Sequence, residues 1–225
     1  MNSHINREEG NQLSDVVRTI EQEKIISIIR SDYPEEIENV VTSLYEGGVR
    51  VIEVTMNTPS ALKTIESLST QFPNIHIGAG TVLDPETARS AVLSGAAFLL
   101  TPTLHPGTIQ MANRYQVPII PGVFTPTEVL TAAELGADVV KIFPVGTLGP
   151  RYIKELKGPL SHIEMIPVGG VTNDNAIEFL EVGSFALGMG SHLVNDQLIV
   201  DKNFLEIRRR AESLVKTISK FRSSV

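Results

Sequence analysis

Short runs rich in Val and Ile alternate with longer stretches of helical period along almost the whole chain, and this alternation restricts the fold more than any other feature. The apolar runs are Lys24 to Arg30, Arg50 to Thr55, Ile75 to Ala79, Ala97 to Thr101, Val117 to Pro121, Asp138 to Phe143, Ile163 to Pro167 and Phe185 to Met189. Near-continuous apolar runs of this length predict strands of a parallel sheet covered by helices on its outer face. Their starts fall 20 to 26 residues apart, the length of one strand, one helix and two short loops. Start signals precede the intervening helices at Pro34-Glu35-Glu36, Asp84-Pro85-Glu86 and Thr125-Pro126-Thr127-Glu128, and stop signals follow at Gly47-Gly48, Gly95 and Gly136. Arg7 to Glu23 reads as an extra helix before the first strand and Asn203 to Phe221 as the closing helix. Eight units with no linker predict an α/β fold, a (β/α)₈ TIM barrel with an extra N-terminal helix, as one domain over residues 1–225. An open doubly wound sheet would want a G-x-G-x-x-G loop after its first strand, where this chain has Ser31-Asp32-Tyr33-Pro34.

Composition narrows the function classes. The 225 residues carry 19 Lys and Arg against 26 Asp and Glu, a formal net charge of −7. No basic face of the kind that neutralises phosphates is available, so a nucleic-acid partner is not expected. The one basic run, Arg208-Arg209-Arg210, lies in a Glu-flanked helical stretch and reads as a solvated face. Cysteine is absent, which removes disulfides, thiolate metal sites and cysteine nucleophiles and suits a cytoplasmic protein. The first ten residues lack the apolar core of a signal peptide, and no apolar run is long enough for a bilayer span. Membrane association is therefore not expected.

In a barrel, the site lies at the C-terminal ends of the strands, and three ionisable residues fall there. Lys141 sits inside the apolar run Ala137 to Pro144; burying an ammonium there lowers its pKa toward the free amine that imine formation requires. Position alone equally allows a lysine whose head escapes to the barrel mouth and pairs with a carboxylate. Glu53, in Val49 to Thr55, shares one strand face with Val51 and Thr55, and fits either a general base or a partner that keeps Lys141 charged. Arg30, at the exit of the first run, suits a bidentate clamp on a carboxylate or an ordinary surface role. Glycine loops follow three strands, at Gly78-Ala79-Gly80-Thr81, Gly169-Gly170 and Gly188-Met189-Gly190-Ser191, and such loops let backbone N–H groups approach an anion. The five histidines form no paired metal-ligand spacing, and neither a metal nor a cofactor is expected.

The set Glu53-Val54-Thr55, Gly78 to Leu83, Pro121-Gly122, Lys141-Ile142-Phe143-Pro144, Pro167 to Val171 and Gly188 to Ser191 resembles the family of 2-keto-3-deoxy-6-phosphogluconate and 4-hydroxy-2-oxoglutarate aldolases. The likeness runs in order from Lys24 to Val194. It implies a class I aldolase on a (β/α)₈ barrel, a homotrimer, with a small 2-keto acid as substrate. Lys141 would be the Schiff-base lysine and Glu53 the proton shuttle. Arg30 and Thr81 would hold the pyruvyl carboxylate, Thr55 would also bind substrate, and Phe143 and Pro102 would pack on the carbon skeleton. Gly169, Gly170, Gly190 and Ser191 would receive the distal phosphate or carboxylate. The implied reactions are cleavage of the phosphogluconate acid to pyruvate and glyceraldehyde 3-phosphate, and of 4-hydroxy-2-oxoglutarate to pyruvate and glyoxylate. The phosphogalactonate epimer, a phosphate-binding isomerase or epimerase, a metal-dependent aldolase and a non-catalytic sugar-acid sensor are the alternatives. Two positions depart from the family pattern: Asn57 stands where many relatives have arginine, and Val168 where threonine is usual.

Overall fold

The computed structural model describes residues 14–223. In chain order its elements are α1 (Asp15–Glu23), β1 (Ile25–Ile29), α2 (Ile37–Glu46), β2 (Val51–Thr55), α3 (Ala61–Gln71), β3 (His76–Gly80), α4 (Pro85–Leu93), β4 (Leu99–Leu100), α5 (Pro106–Arg114) and β5 (Ile119–Ile120). There follow β6 (Gly122–Val123), α6 (Pro126–Glu134), β7 (Val139–Ile142), α7 (Gly149–Lys157), β8 (Glu164–Pro167), α8 (Ala176–Glu181), β9 (Leu187–Met189), α9 (Asp196–Val200) and α10 (Phe204–Arg222). All strand pairings are parallel, in the orders β5-β4-β3-β2-β1-β9 and β6-β7-β8.

These two arcs form one curled sheet. At one seam Val168 bridges Gly188 in parallel, and the Phe185 N–H donates to the Met165 carbonyl at 2.8 Å. At the other, β5 and β6 are two halves of a single strand interrupted by Pro121, which has no N–H to give the ladder. Its carbonyl still accepts from the Lys141 N–H at 2.9 Å, so β7 pairs across the break. The run expected as the fifth strand, Val117 to Pro121, is therefore shifted along the chain to Ile119–Val123 by a proline that interrupts rather than ends it.

The helix starts follow their sequence signals. Asp84 accepts from the Thr87 N–H at 2.6 Å to cap α4, and Thr125 forms a reciprocal capping pair with Glu128 at the start of α6. The extra N-terminal helix begins at Asp15, and residues 7–13 of the expected span lie outside the described residues. No described helix is long and apolar enough to cross a membrane.

Strand alternation divides the apolar residues into two cores. Ile52 and Val54 of β2 join the larger core between sheet and helices, while Val51 joins Ile26, Phe98, Ile120, Val139 and Ile166 inside the ring. Val16, Val17 and Ile20 of α1 belong to this inner cluster and close the end of the ring from which the strands start. Phe98 is fully buried there. Phe98→Ala is expected to cost about 3–5 kcal/mol through lost burial and the cavity left behind; urea unfolding would show a lower midpoint at unchanged slope.

Candidate active site

Above the inner apolar layer, the inward face of the sheet turns ionisable. On β2, Glu53 follows Val51 at the strand period of two; on β7, Lys141 follows Val139 in the same way. Glu53 is 1% exposed and Lys141 5%. A Cβ placed on Gly80, at the end of β3 and opposite Thr55, would overlap Glu53 Oε1, so the carboxylate occupies the space left by the missing side chain.

Burial sets the electrostatics of both groups. Loss of solvent pushes the Glu53 carboxyl above its ordinary range, against the opposing charges of Lys141 and Arg30. The same loss pushes the Lys141 ammonium down; the Glu53 charge resists this and the Arg30 charge adds to it. No ion pair within 4.0 Å joins the two. Glu53 Oε2 is buried with no hydrogen-bond partner, and Lys141 Nζ lies 4.9 Å from the centre of the Phe143 ring. The alternative in which the lysine head reaches the barrel mouth and pairs with a carboxylate does not hold here: the amine stays inside, over an aromatic face.

Phe143 connects this pair to a cavity of about 410 Å³ at the C-terminal ends of β1, β7, β8 and β9. Arg30, Phe143, Gly169, Gly170, Gly190 and Ser191, all singled out in the sequence, line it. Gly170 has φ of +93°, and a Cβ there would stand 2.5 Å from the Gly146 Cα, so the loop after β8 can follow this path only with glycine. Val168 lines the cavity without a hydroxyl, with its side chain against Gly188. Exposed Arg30 stands at the exit of β1.

The remaining candidates lie off the cavity wall. Thr55 is buried, and its hydroxyl meets that of Thr58 at 3.3 Å; Thr58 also accepts from the Ser31 N–H at 3.4 Å, tying the end of β2 to the segment after Arg30. Thr81 occupies the turn after β3 with φ of +56°, and half-buried Pro102 packs its carbonyl against Gly122. Sequence reading missed Thr172, His192, Asn195 and Asp196 on the wall. All four lie within five residues of a glycine loop that it did mark, and that proximity was the only available signal. Among the described residues no group of three or more His, Asp or Glu is gathered as a metal site would need. A buried amine without an ion-pair partner, a nearby buried carboxyl and a loop-lined cavity together suit carbonyl chemistry through an imine on an anionic substrate.

Comparison with known proteins gives the same direction. The family model described as KDPG and KHG aldolase matches residues 16–210. The 2-dehydro-3-deoxy-6-phosphogalactonate aldolase of Escherichia coli is 36% identical over 171 residues, covering 75% of this chain and 83% of that protein. The 2-dehydro-3-deoxy-phosphogluconate aldolase of Haemophilus influenzae is 31% identical over 204 residues, covering 90% and 96%. Among solved structures, the KDPG aldolase from Legionella pneumophila, with pyruvate captured at low pH as a covalent carbinolamine intermediate, superposes with a TM-score of 0.84 at 28% identity, covering 89% of this chain and 98% of that one.

Proposed function

The chain belongs to the KDPG and KHG aldolase family, and on that premise we propose that it cleaves a 2-keto-3-deoxy-6-phosphohexonate through a Schiff base on Lys141. The observation that carries this reading is the amine of Lys141, buried without an ion-pair partner on the inward face of β7 and joined through Phe143 to the cavity.

Neutral Lys141 adds to the C2 ketone, and the carbinolamine takes up one proton from solvent on its hydroxyl and loses water, leaving a protonated imine. Glu53 accepts the proton of the C4 hydroxyl, the C3–C4 bond breaks, and its electrons flow into the iminium to give an enamine while the aldehyde departs. Glu53 returns its proton to C3, and water hydrolyses the imine to pyruvate and free Lys141. Burial suits both groups to these tasks. It favours the free amine for attack and brings the carboxyl nearer to the solution pH, where it can take and give a proton. Arg30, at the cavity wall, offers a fork for the pyruvyl carboxylate. The distal phosphate lies against the glycine loops of Gly169-Gly170 and Gly190-Ser191.

The gluconate acid and its galactonate epimer give the same pyruvate and glyceraldehyde 3-phosphate and differ only at C4. The 36% identity with the galactonate enzyme of Escherichia coli supports including the epimer beside the gluconate acid, to which the 31% relative is assigned. Pyruvate release is measured from both acids and from 4-hydroxy-2-oxoglutarate, with borohydride trapping of pyruvate in parallel. The expected outcome is release from at least one phosphorylated acid and a stable adduct on Lys141. No release from any of the three, with Lys141 unmodified where a control aldolase labels, removes the reading.

A further inference from the structure

The two glycine loops are each tied by the side-chain amide of one asparagine. Asn175 Nδ2 donates to the Gly170 carbonyl at 2.9 Å, while its Oδ1 accepts from the Thr172 N–H at 2.8 Å. Asn195 Nδ2 donates to the Ser191 carbonyl at 3.3 Å, while its Oδ1 accepts from the Leu198 N–H at 3.0 Å. In a planar trans peptide the C=O and the following N–H point in opposite directions. Holding the Gly170 carbonyl therefore turns the Val171 N–H away from Asn175, and holding the Ser191 carbonyl turns the His192 N–H away from Asn195. Val171 and His192 both line the cavity, and neither N–H has an acceptor among the described residues. The next carbonyl along the second loop, that of His192, is also occupied, by Arg210 Nη1 at 3.0 Å, and Arg210 is itself held by Glu206 at 3.0 Å.

We propose that Asn175 and Asn195 are paired positioning residues that orient the Val171 and His192 peptides so that their free N–H groups receive a phosphate monoester dianion. Asn175 stands off the cavity wall and Asn195 on it, and the role assigned to both is the tie to the loop carbonyl. Each acts by fixing a peptide plane, so the donors are oriented before the anion arrives. Two free N–H groups, one from each loop, form a divided cradle that closes only when both peptides are held. The inference rests on the reading of this cavity as the phosphate end of an aldolase site.

Inorganic phosphate is the probe, titrated by ³¹P NMR and as a competitive inhibitor of cleavage, beside borohydride trapping with pyruvate, which carries no phosphate. Asn195→Ser keeps an oxygen for the Leu198 N–H at the start of α9 but cannot span to Ser191, so it separates the loop tie from the helix start. Asn175→Ala removes the other tie. In each variant, the phosphate Kd and the KM for the phosphorylated acid are expected to rise together, by about ten-fold or more relative to any change in the pyruvate half-saturation. Equal changes for phosphate and pyruvate would indicate general loosening and overturn the assignment, as would unchanged phosphate affinity in both variants. Wild-type protein that labels with pyruvate yet binds no phosphate overturns the locks and leaves the Schiff base standing. Wild-type protein that binds phosphate, with affinity lost in the variants but no label on Lys141, sustains the locks and removes the aldolase reading.

Discussion

Lys141→Ala is expected to lower pyruvate release by about 10⁴-fold or more, because no other amine in the described barrel is placed to form the imine. The fold should survive. The Glu53 carboxyl is already pushed up by burial, and Lys141 is the larger of the two charges that hold it down. Without that charge, the Glu53 carboxyl is pushed further up, toward its neutral form, so proton uptake relieves the cost of a buried carboxylate that has lost its cation. Thermal unfolding close to wild type with loss of both activity and borohydride labelling is the expected pattern. Near-normal turnover in the variant would end the Schiff-base mechanism whatever the substrate.

Glu53→Gln is expected to separate the two halves of the reaction. Cleavage needs a group that accepts the C4 hydroxyl proton and returns one to C3, and an amide does neither, so turnover should fall by about 10²–10⁴-fold. Imine formation needs only the free amine. In the wild type, burial pushes the Lys141 pKa down from 10.5 and the Glu53 charge is the one influence holding it up. Removing that charge moves the Lys141 midpoint to lower pH. Trapping with pyruvate rises with pH in both proteins, as the ammonium loses its proton, and the curve for the variant should lie on the acid side of the wild type. A curve displaced to higher pH, or cleavage at the wild-type rate, would show that Glu53 is neither the charge partner nor the proton carrier.

The parts of the structure that follow from periodicity were legible in the sequence. Val51, Glu53 and Thr55 fall on one face of β2 because side chains alternate in any strand, and Lys141 points inward for the same reason. The helix starts at Asp84 and Thr125 were equally legible, since capping is a local contact within one turn. The displaced fifth strand was not. A proline in an apolar run reads as an end, and only the neighbouring β4 and β7 reveal that pairing resumes beyond Pro121. Thr55 shows a second limit: alternation gave its face correctly, but its engagement by Thr58 arises in a loop whose path no periodicity sets. The asparagine ties likewise depend on where loop carbonyls turn in three dimensions. Asn175 and Asn195 look in the sequence like any polar residue ahead of a helix.

Among the described residues, Val16, Val17 and Ile20 plug one end of the barrel and leave the other as its doorway. In such a cul-de-sac, what enters deepest leaves last. On the proposed Schiff-base reading, the pyruvyl half would be held covalently at Lys141 and the phosphorylated aldehyde would lie nearer the threshold, across the way out. Departure would then be sequential, aldehyde first and pyruvate second, and synthesis in the reverse direction would load pyruvate before the aldehyde. On that reading, closure at the far end of the ring would impose a kinetic order on events at the open one.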